Sequence, residues 1–196
     1  MAIRGIEKNV RWRDSLEEAR EEARSEGKLV FIFLWHHNCG GSKMMDEATY
    51  PDGVVRMYIE EHFVPVRFNT IERPEVEESF NSGWTPTIIV EDAEGREHRR
   101  SQGYLDPKRF IGEMALARVE DAMDRHDYEA VIELSKEALE RTEGDQAREP
   151  EALYWSAVGA FEVSGDRDDL TGGWNRLLEE FPQSEWAEKA SYIHKQ

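Results

Sequence analysis

One cysteine stands in the 196 residues, Cys39. Such a chain has no internal disulfide available, so it is not a disulfide-stapled scaffold. Long hydrophobic runs are missing too: no stretch has the length of a membrane span. Positive charge is scarce, with 25 Lys and Arg against 42 Asp and Glu and a net charge of -17. A surface of that sign repels nucleic acid and anionic membranes, and neither is an expected partner. The N-terminal stretch MAIRGIEKNVRW lacks the apolar core of a secretory signal, so the expected location is the cytoplasm; a chain whose signal had been removed would read the same. There is no phosphate-cradling glycine loop, no zinc-protease helix and no serine-triad signature, and no cofactor is expected.

What is present is a globular composition, 39% hydrophobic and 10% aromatic, and a change of character near residue 125. Before it, helices and strands alternate. Trp12 to Glu26 reads as a helix, with Asp14 or Ser15 as its cap and Gly27 at its end. KLVFIFLW, Lys28 to Trp35, is short and continuously apolar, which suits a strand buried on both faces. HHNCGG breaks that run, and from Ser42 a helical pattern begins, with Met44, Met45 and Ala48 as its first apolar contacts. Pro51 interrupts it, and a further helix runs to His62. FVPVRFN, Phe63 to Asn69, is a second strand, with Pro65 expected near a strand start or a bulge. Pro74 to Asn81 reads as a short helix. Thr87 to Val90 and Arg96 to Arg100 read as strands joined by a turn at Ala93-Glu94-Gly95, and a helix follows from Asp106 to about Arg125. Helices between the early strands imply a parallel pair, and the short late turn implies an antiparallel hairpin.

From Tyr128 onward the pattern is helical throughout. Asp127, Val131, Ala138 and Leu139 have counterparts in Asp166, Leu170, Leu177 and Leu178, a weak self-similarity of the kind helical repeats show. The domains expected are therefore 1–125 and 126–196.

Four features of the first region resemble the thioredoxin family. An apolar strand ends in Phe33-Leu34-Trp35 shortly before Cys39, and CGGSK stands where the family has Cys-Gly-Pro-Cys-Lys. FVPVRFN resembles the family's second central strand, and Thr85-Pro86-Thr87 matches the loop whose proline is cis and packs against the active cysteine. Gly103 falls where the family has a glycine after its hairpin. The resemblance implies an α/β fold, a central mixed sheet flanked by helices, from about Leu16 to Arg125. The tail is similar to tetratricopeptide repeats at Tyr154, Phe161, Trp174 and Pro182. The two together resemble the architecture of bacterial chaperedoxins, which hold unfolding clients.

Three departures bear on the chemistry. Ser42 replaces the second cysteine, Phe33 replaces the family's buried acid, and Asn38 replaces the tryptophan before the first cysteine. A helix N-terminus favours a thiolate, the glycines Gly40 and Gly41 let backbone approach it, and Ser42 is placed to donate a hydrogen bond to it. Cys39 can then attack a disulfide, but a serine hydroxyl cannot resolve the mixed disulfide that forms. The losses of the second cysteine and of the buried acid point the same way, against an ordinary dithiol reductase. Two readings stand. In one, Cys39 is a monothiol nucleophile on protein clients, released by glutathione or another thiol. In the other, the cysteine is inert and the chain is a non-catalytic binding module that recruits a partner through its tail. By resemblance Thr85 and Pro86 hold an extended client. Trp84 is either a platform for that client or a residue packed under the loop. His36 and His37 beside Cys39 raise a metal site, against which stands the lack of any second Cys/His cluster; one of them is expected to favour the thiolate. The pair Met44–Met45 is expected in the core.

Overall fold

The computed structural model describes residues 9–195. The chain forms two compact units, one ending at Phe110 and the other beginning at Ile111.

In the first unit, β1 (Leu29–Trp35), β2 (Phe63–Asn69), β3 (Thr87–Glu91) and β4 (Glu97–Gln102) form one sheet in the order β2-β1-β3-β4. β1 and β2 are parallel and β3 and β4 antiparallel, as the connections imply, and β3 also pairs antiparallel with β1. The helices are α1 (Leu16–Glu26), α2 (Gly40–Met44), α3 (Gly53–His62) and α4 (Pro74–Ser79). α5 (Pro107–Asp124) spans the division between the units. Several element ends lie one or two residues from where the sequence pattern puts them, the usual uncertainty at frayed termini.

The continuous apolar run of β1 has its reason in the alternation of strand side chains. Val30, Ile32 and Leu34 join a core with Ala19 and Ala23 of α1, Val76 of α4 and Val64, Val66 and Phe68 of β2. Phe31 and Phe33 meet an aromatic cluster instead. Trp12 stacks on Phe33 at 5.7 Å, and Tyr50 packs edge-on to Phe33 at 5.1 Å, with Phe110 5.5 Å from Phe31.

Two expectations are corrected here. Residues 12–14 are not helical: α1 starts at Leu16, capped by Ser15 Oγ, which accepts from the Glu18 N–H at 3.3 Å. Arg13 instead runs beside β2, its N–H donating to the Pro65 carbonyl at 2.8 Å. That contact also explains Pro65, which sits inside the strand and not at a start or bulge. β2 is an edge strand, and the carbonyl of Pro65 faces away from β1 toward Arg13, so the missing N–H costs no ladder bond.

The second unit is all-helical: most of α5, then α6 (Tyr128–Thr142), α7 (Glu149–Ser164), α8 (Arg167–Glu180) and α9 (Glu185–Ala190), with a final 3-10 turn at Ser191–Lys195. The two aspartates matched by self-similarity do the same job. Asp127 caps α6 by accepting from the Ala130 N–H, and Asp166 caps α8 by accepting from the Asp168 N–H. Leu153, Ala157, Trp174, Leu177 and Phe181 form the core, and Tyr154 stacks on Trp174 at 4.8 Å. α7 and α8 approach so closely that a Cβ on Gly173 would lie 2.6 Å from Ala157 Cβ. Among the described residues no helix is long and apolar enough to cross a membrane.

Candidate active site

β1 ends at Trp35, and the turn His36-His37-Asn38 delivers Cys39 to the first position of a helix. Cys39 has extended backbone (φ -87, ψ 119) and is the N-cap of α2. Its own N–H donates to the His36 carbonyl at 3.1 Å, and its carbonyl accepts from the Lys43 N–H at 3.1 Å. α2 then widens into a π-helical turn, Met45–Thr49, before Pro51 and α3. A capping position is ordinarily filled by an oxygen. Here the sulfur takes that place and accepts from the Ser42 N–H at 3.5 Å.

The opposite wall of the site is the segment before β3. The Thr85–Pro86 peptide is cis, and the Cys39 thiol donates to the Thr85 carbonyl at 3.2 Å. Three contacts hold this segment in place. Thr87 Oγ1 donates to the Trp84 carbonyl at 2.7 Å and accepts from Ser82 Oγ at 3.1 Å. The Gly103 N–H donates to the Pro86 carbonyl at 2.8 Å. Ser82, which carries no motif of its own in the sequence, is thus part of the support.

The two glycines after the cysteine are not equivalent. A Cβ on Gly41 would lie 2.8 Å from Pro86 Cδ, whereas nothing lies within 4 Å of one on Gly40. The expectation that both permit a close approach therefore holds for Gly41 only. Gly41→Ala is expected to cost about 1–2 kcal/mol, overpacking outweighing alanine's helix propensity of roughly 1 kcal/mol. Gly40→Ala should be neutral or stabilising by up to about 1 kcal/mol. Urea unfolding of both variants checks the contrast, and equal costs would remove the argument from contact with Pro86.

Burial pushes the Cys39 thiol up. Hydrogen bonding from the Ser42 hydroxyl and N–H, from the Thr85 side chain and from the Gly41 N–H outweighs it, and the thiol lies below its ordinary value. Ser42 is only 1% exposed, and its Oγ meets no partner at ordinary hydrogen-bond geometry. While Cys39 is a thiol, the N–H of Ser42 is the group that reaches the sulfur. On ionisation the unpartnered hydroxyl beside it is free to turn onto the thiolate, and it is the largest of the favourable contributions.

The remaining expected residues fall as follows. Trp84 is 63% exposed, so it does not pack under the loop. Met45 is fully buried, with its sulfur accepting from the Leu105 N–H at 3.4 Å, but Met44 is exposed and does not belong to the core. The side chains of i and i+1 on a helix cannot share a face. His36 is half-buried, lines the cleft beside Cys39 and has a buried Nδ1 without a partner; His37 is exposed. Among the described residues no three His, Cys, Asp or Glu side chains come together as a metal site. The cleft, about 440 Å³, also takes in Thr70, Ile71 and Glu77, which no sequence motif marks. A larger cavity of about 670 Å³ lies along the outer edge of β2, between α1 and α3, and no Cys, Ser or Thr is among its lining residues.

This arrangement of strand, capping cysteine, glycine against proline and cis loop occurs within residues 16–118, the span that matches the family model of a thioredoxin-like domain. The chain belongs to that family. Among solved structures, the thioredoxin-like unit resembles a thioredoxin from Thermus thermophilus, with a TM-score of 0.52 at 20% identity, covering 59% of this chain and 93% of that one. That likeness is one of fold. A stretch of 71 residues is 30% identical to human spermatogenesis-associated protein 20. It covers 36% of this chain and 9% of that protein, so the chain spans less than a tenth of that relative's length.

Proposed function

We propose that this thioredoxin-like protein is a monothiol that captures protein clients as mixed disulfides through Cys39. The observation that carries the reading is the sulfur at the α2 N-cap, half-exposed and held toward the thiolate by Ser42, Thr85 and Gly41. The Cys39 thiolate attacks a client disulfide. A bond forms between Sγ and one client sulfur, the client's S–S bond breaks, and the other sulfur leaves as a thiolate. An external thiolate, glutathione or a protein thiol, then attacks the client sulfur and returns Cys39 as a thiolate. Exposed Trp84, with Thr85 and Pro86, forms the surface on which an extended client lies. The all-helical second unit acts as a tetratricopeptide-like arm that recruits the client.

A second reading, a non-catalytic adaptor, is favoured by Phe33. It is fully buried at the position where the family has an acid, so that position supplies no proton acceptor. Alkylation separates the two. The rate at Cys39 is expected to reach half its maximum at a pH below that of free cysteine, and Cys39→Ser should abolish trapping of disulfide-bearing clients. A midpoint at the free-cysteine value would leave only the adaptor.

The same shift has a stability consequence. The folded chain holds the Cys39 proton less tightly than the unfolded chain, so stability rises with pH between the lowered value and the ordinary one. The contribution is complete above the ordinary cysteine value and is lost as pH falls through the lowered one. Wild type should therefore gain stability over Cys39→Ala across that window in urea titrations.

A further inference from the structure

We infer that the cleft beside Cys39 selects disulfide partners carrying positive charge next to the sulfur, namely client segments with Lys or Arg flanking the cysteine, and disfavours glutathione. The inference rests on the reading of Cys39 as a nucleophile and concerns the partner of the same site. Second to the thiol itself, the site is marked by the buried, unpartnered Ser42 Oγ beside the sulfur.

The lining decides the charge. His36, Ile71, Glu77, Trp84 and Thr85 surround Cys39 in the cleft, and no Lys or Arg is among its lining residues. Glu77 is the lone carboxylate there, and among the described residues no cation pairs with it. The nearest basic groups in sequence are engaged or turned elsewhere. Arg73 pairs with Glu75 and lies over Phe68, Arg67 is near Asp46 and over Trp35, and Lys43 on α2 does not line the cleft. Ile71 and Trp84, at 52% and 63% exposed, give the apolar surface along which a Lys or Arg stem can lie while its head meets Glu77. Glutathione carries two carboxylates against one ammonium, and it would bring net negative charge to a cleft lined by Glu77 and by no Lys or Arg. The chain's net charge of -17 adds a long-range field of the same sense.

The step is the exchange already described: Cys39 Sγ bonds to one partner sulfur and the other departs as a thiolate with the electron pair. The test measures that step on the full chain at low ionic strength with four disulfides: cystamine (cationic), hydroxyethyl disulfide (neutral), oxidised glutathione (anionic) and a Lys-flanked peptide disulfide. Each rate is divided by that of 2-mercaptoethanol with the same disulfide, which removes differences in leaving group. Cystamine is expected to exceed oxidised glutathione by about tenfold, with the neutral disulfide between them. The gap should shrink as salt is added. The Lys-flanked peptide should be the fastest, because Trp84 and Thr85 also hold its chain. Glu77→Gln should narrow the ratio of cystamine to glutathione about threefold, a change that a merely structural role for Glu77 would not produce. Glutathione reacting as fast as cystamine overturns the inference while leaving Cys39 a nucleophile. A peptide slower than cystamine overturns the assignment to protein segments. Failure of all four disulfides to react would overturn the monothiol reading itself.

Discussion

Ser42→Cys is expected to turn a single capture into turnover. Position 42 already meets the sulfur of Cys39: its backbone N–H reaches Sγ at 3.5 Å, and its side chain is buried beside it. Residues three apart at a helix start lie within the Cα separation that a disulfide spans. In the mixed disulfide, the new thiol would attack Cys39 Sγ. A bond forms between the two protein sulfurs, the client sulfur leaves as a thiolate, and the client departs reduced. Dithiothreitol then reduces the protein disulfide for the next round. Against a millimolar external thiol, an intramolecular one held in place should speed release by roughly a hundredfold to ten-thousandfold. The lower end is expected, because Phe33 is fully buried where the family has a proton acceptor, so the attacking thiol must lose its proton to solvent. Mass spectrometry of a preformed mixed disulfide follows the release, the variant with no added thiol and wild type with a millimolar thiol. A variant that releases its client no faster than wild type would mean that residue 42 is not placed to resolve.

How far this site could be read beforehand depends on whether its parts are local in sequence. Cys39, Gly41 and Ser42 belong to one short motif, and Thr85-Pro86 to another, so both walls were legible from their spacing. The buried strand β1 was legible because both its faces are covered and its run is unbroken. The cleft was not. Ile71 and Glu77 lie in a loop and a short helix whose composition, IERPEVEES, reads as a solvated surface. Only the return of β2 past β1 brings them to Cys39. The extended segment before α1 was misread because Trp12 sits at a helical spacing, while its ring is claimed by Phe33 and its neighbour Arg13 by the free edge of β2. Tertiary packing overrode the local pattern there. Glu91 falls just beyond the strand pattern Thr87 to Val90, and no local signal marks its partner, which lies in α1, 71 residues away in sequence.

That partner sets the largest stability effect. Arg20→Ala is expected to cost about 3 kcal/mol. Arg20 Nε donates to Glu91 Oε1 at 2.6 Å and its second nitrogen to Oε2 at 2.9 Å, a bidentate pair. Hydrogen bonding to Glu91, against the opposing effect of burial, holds the guanidinium more firmly protonated than usual. The carboxylate ends β3 opposite Val30 and is 1% exposed, so removal of the cation strands a charge in the sheet. Breaking a buried pair from one side costs about 3–5 kcal/mol. The Arg20 side chain is 31% exposed, which lets water reach the gap and places this case at the lower end. Neutralising the survivor should recover much of the loss, so Arg20→Ala with Glu91→Gln is expected to be more stable than Arg20→Ala alone. Arg20→Met with Glu91→Leu should come within about 1 kcal/mol of wild type, since an apolar pair of similar size removes both desolvation costs. Arg24 and Glu94 supply the control one turn along α1. That pair is 3.3 Å apart with both side chains more than half exposed, and breaking it should cost under about 1 kcal/mol. Urea midpoints of the four variants, Glu94→Gln included, measure all of this. Equal losses from Arg20→Ala and Glu94→Gln would mean that Glu91 is better solvated than its burial implies.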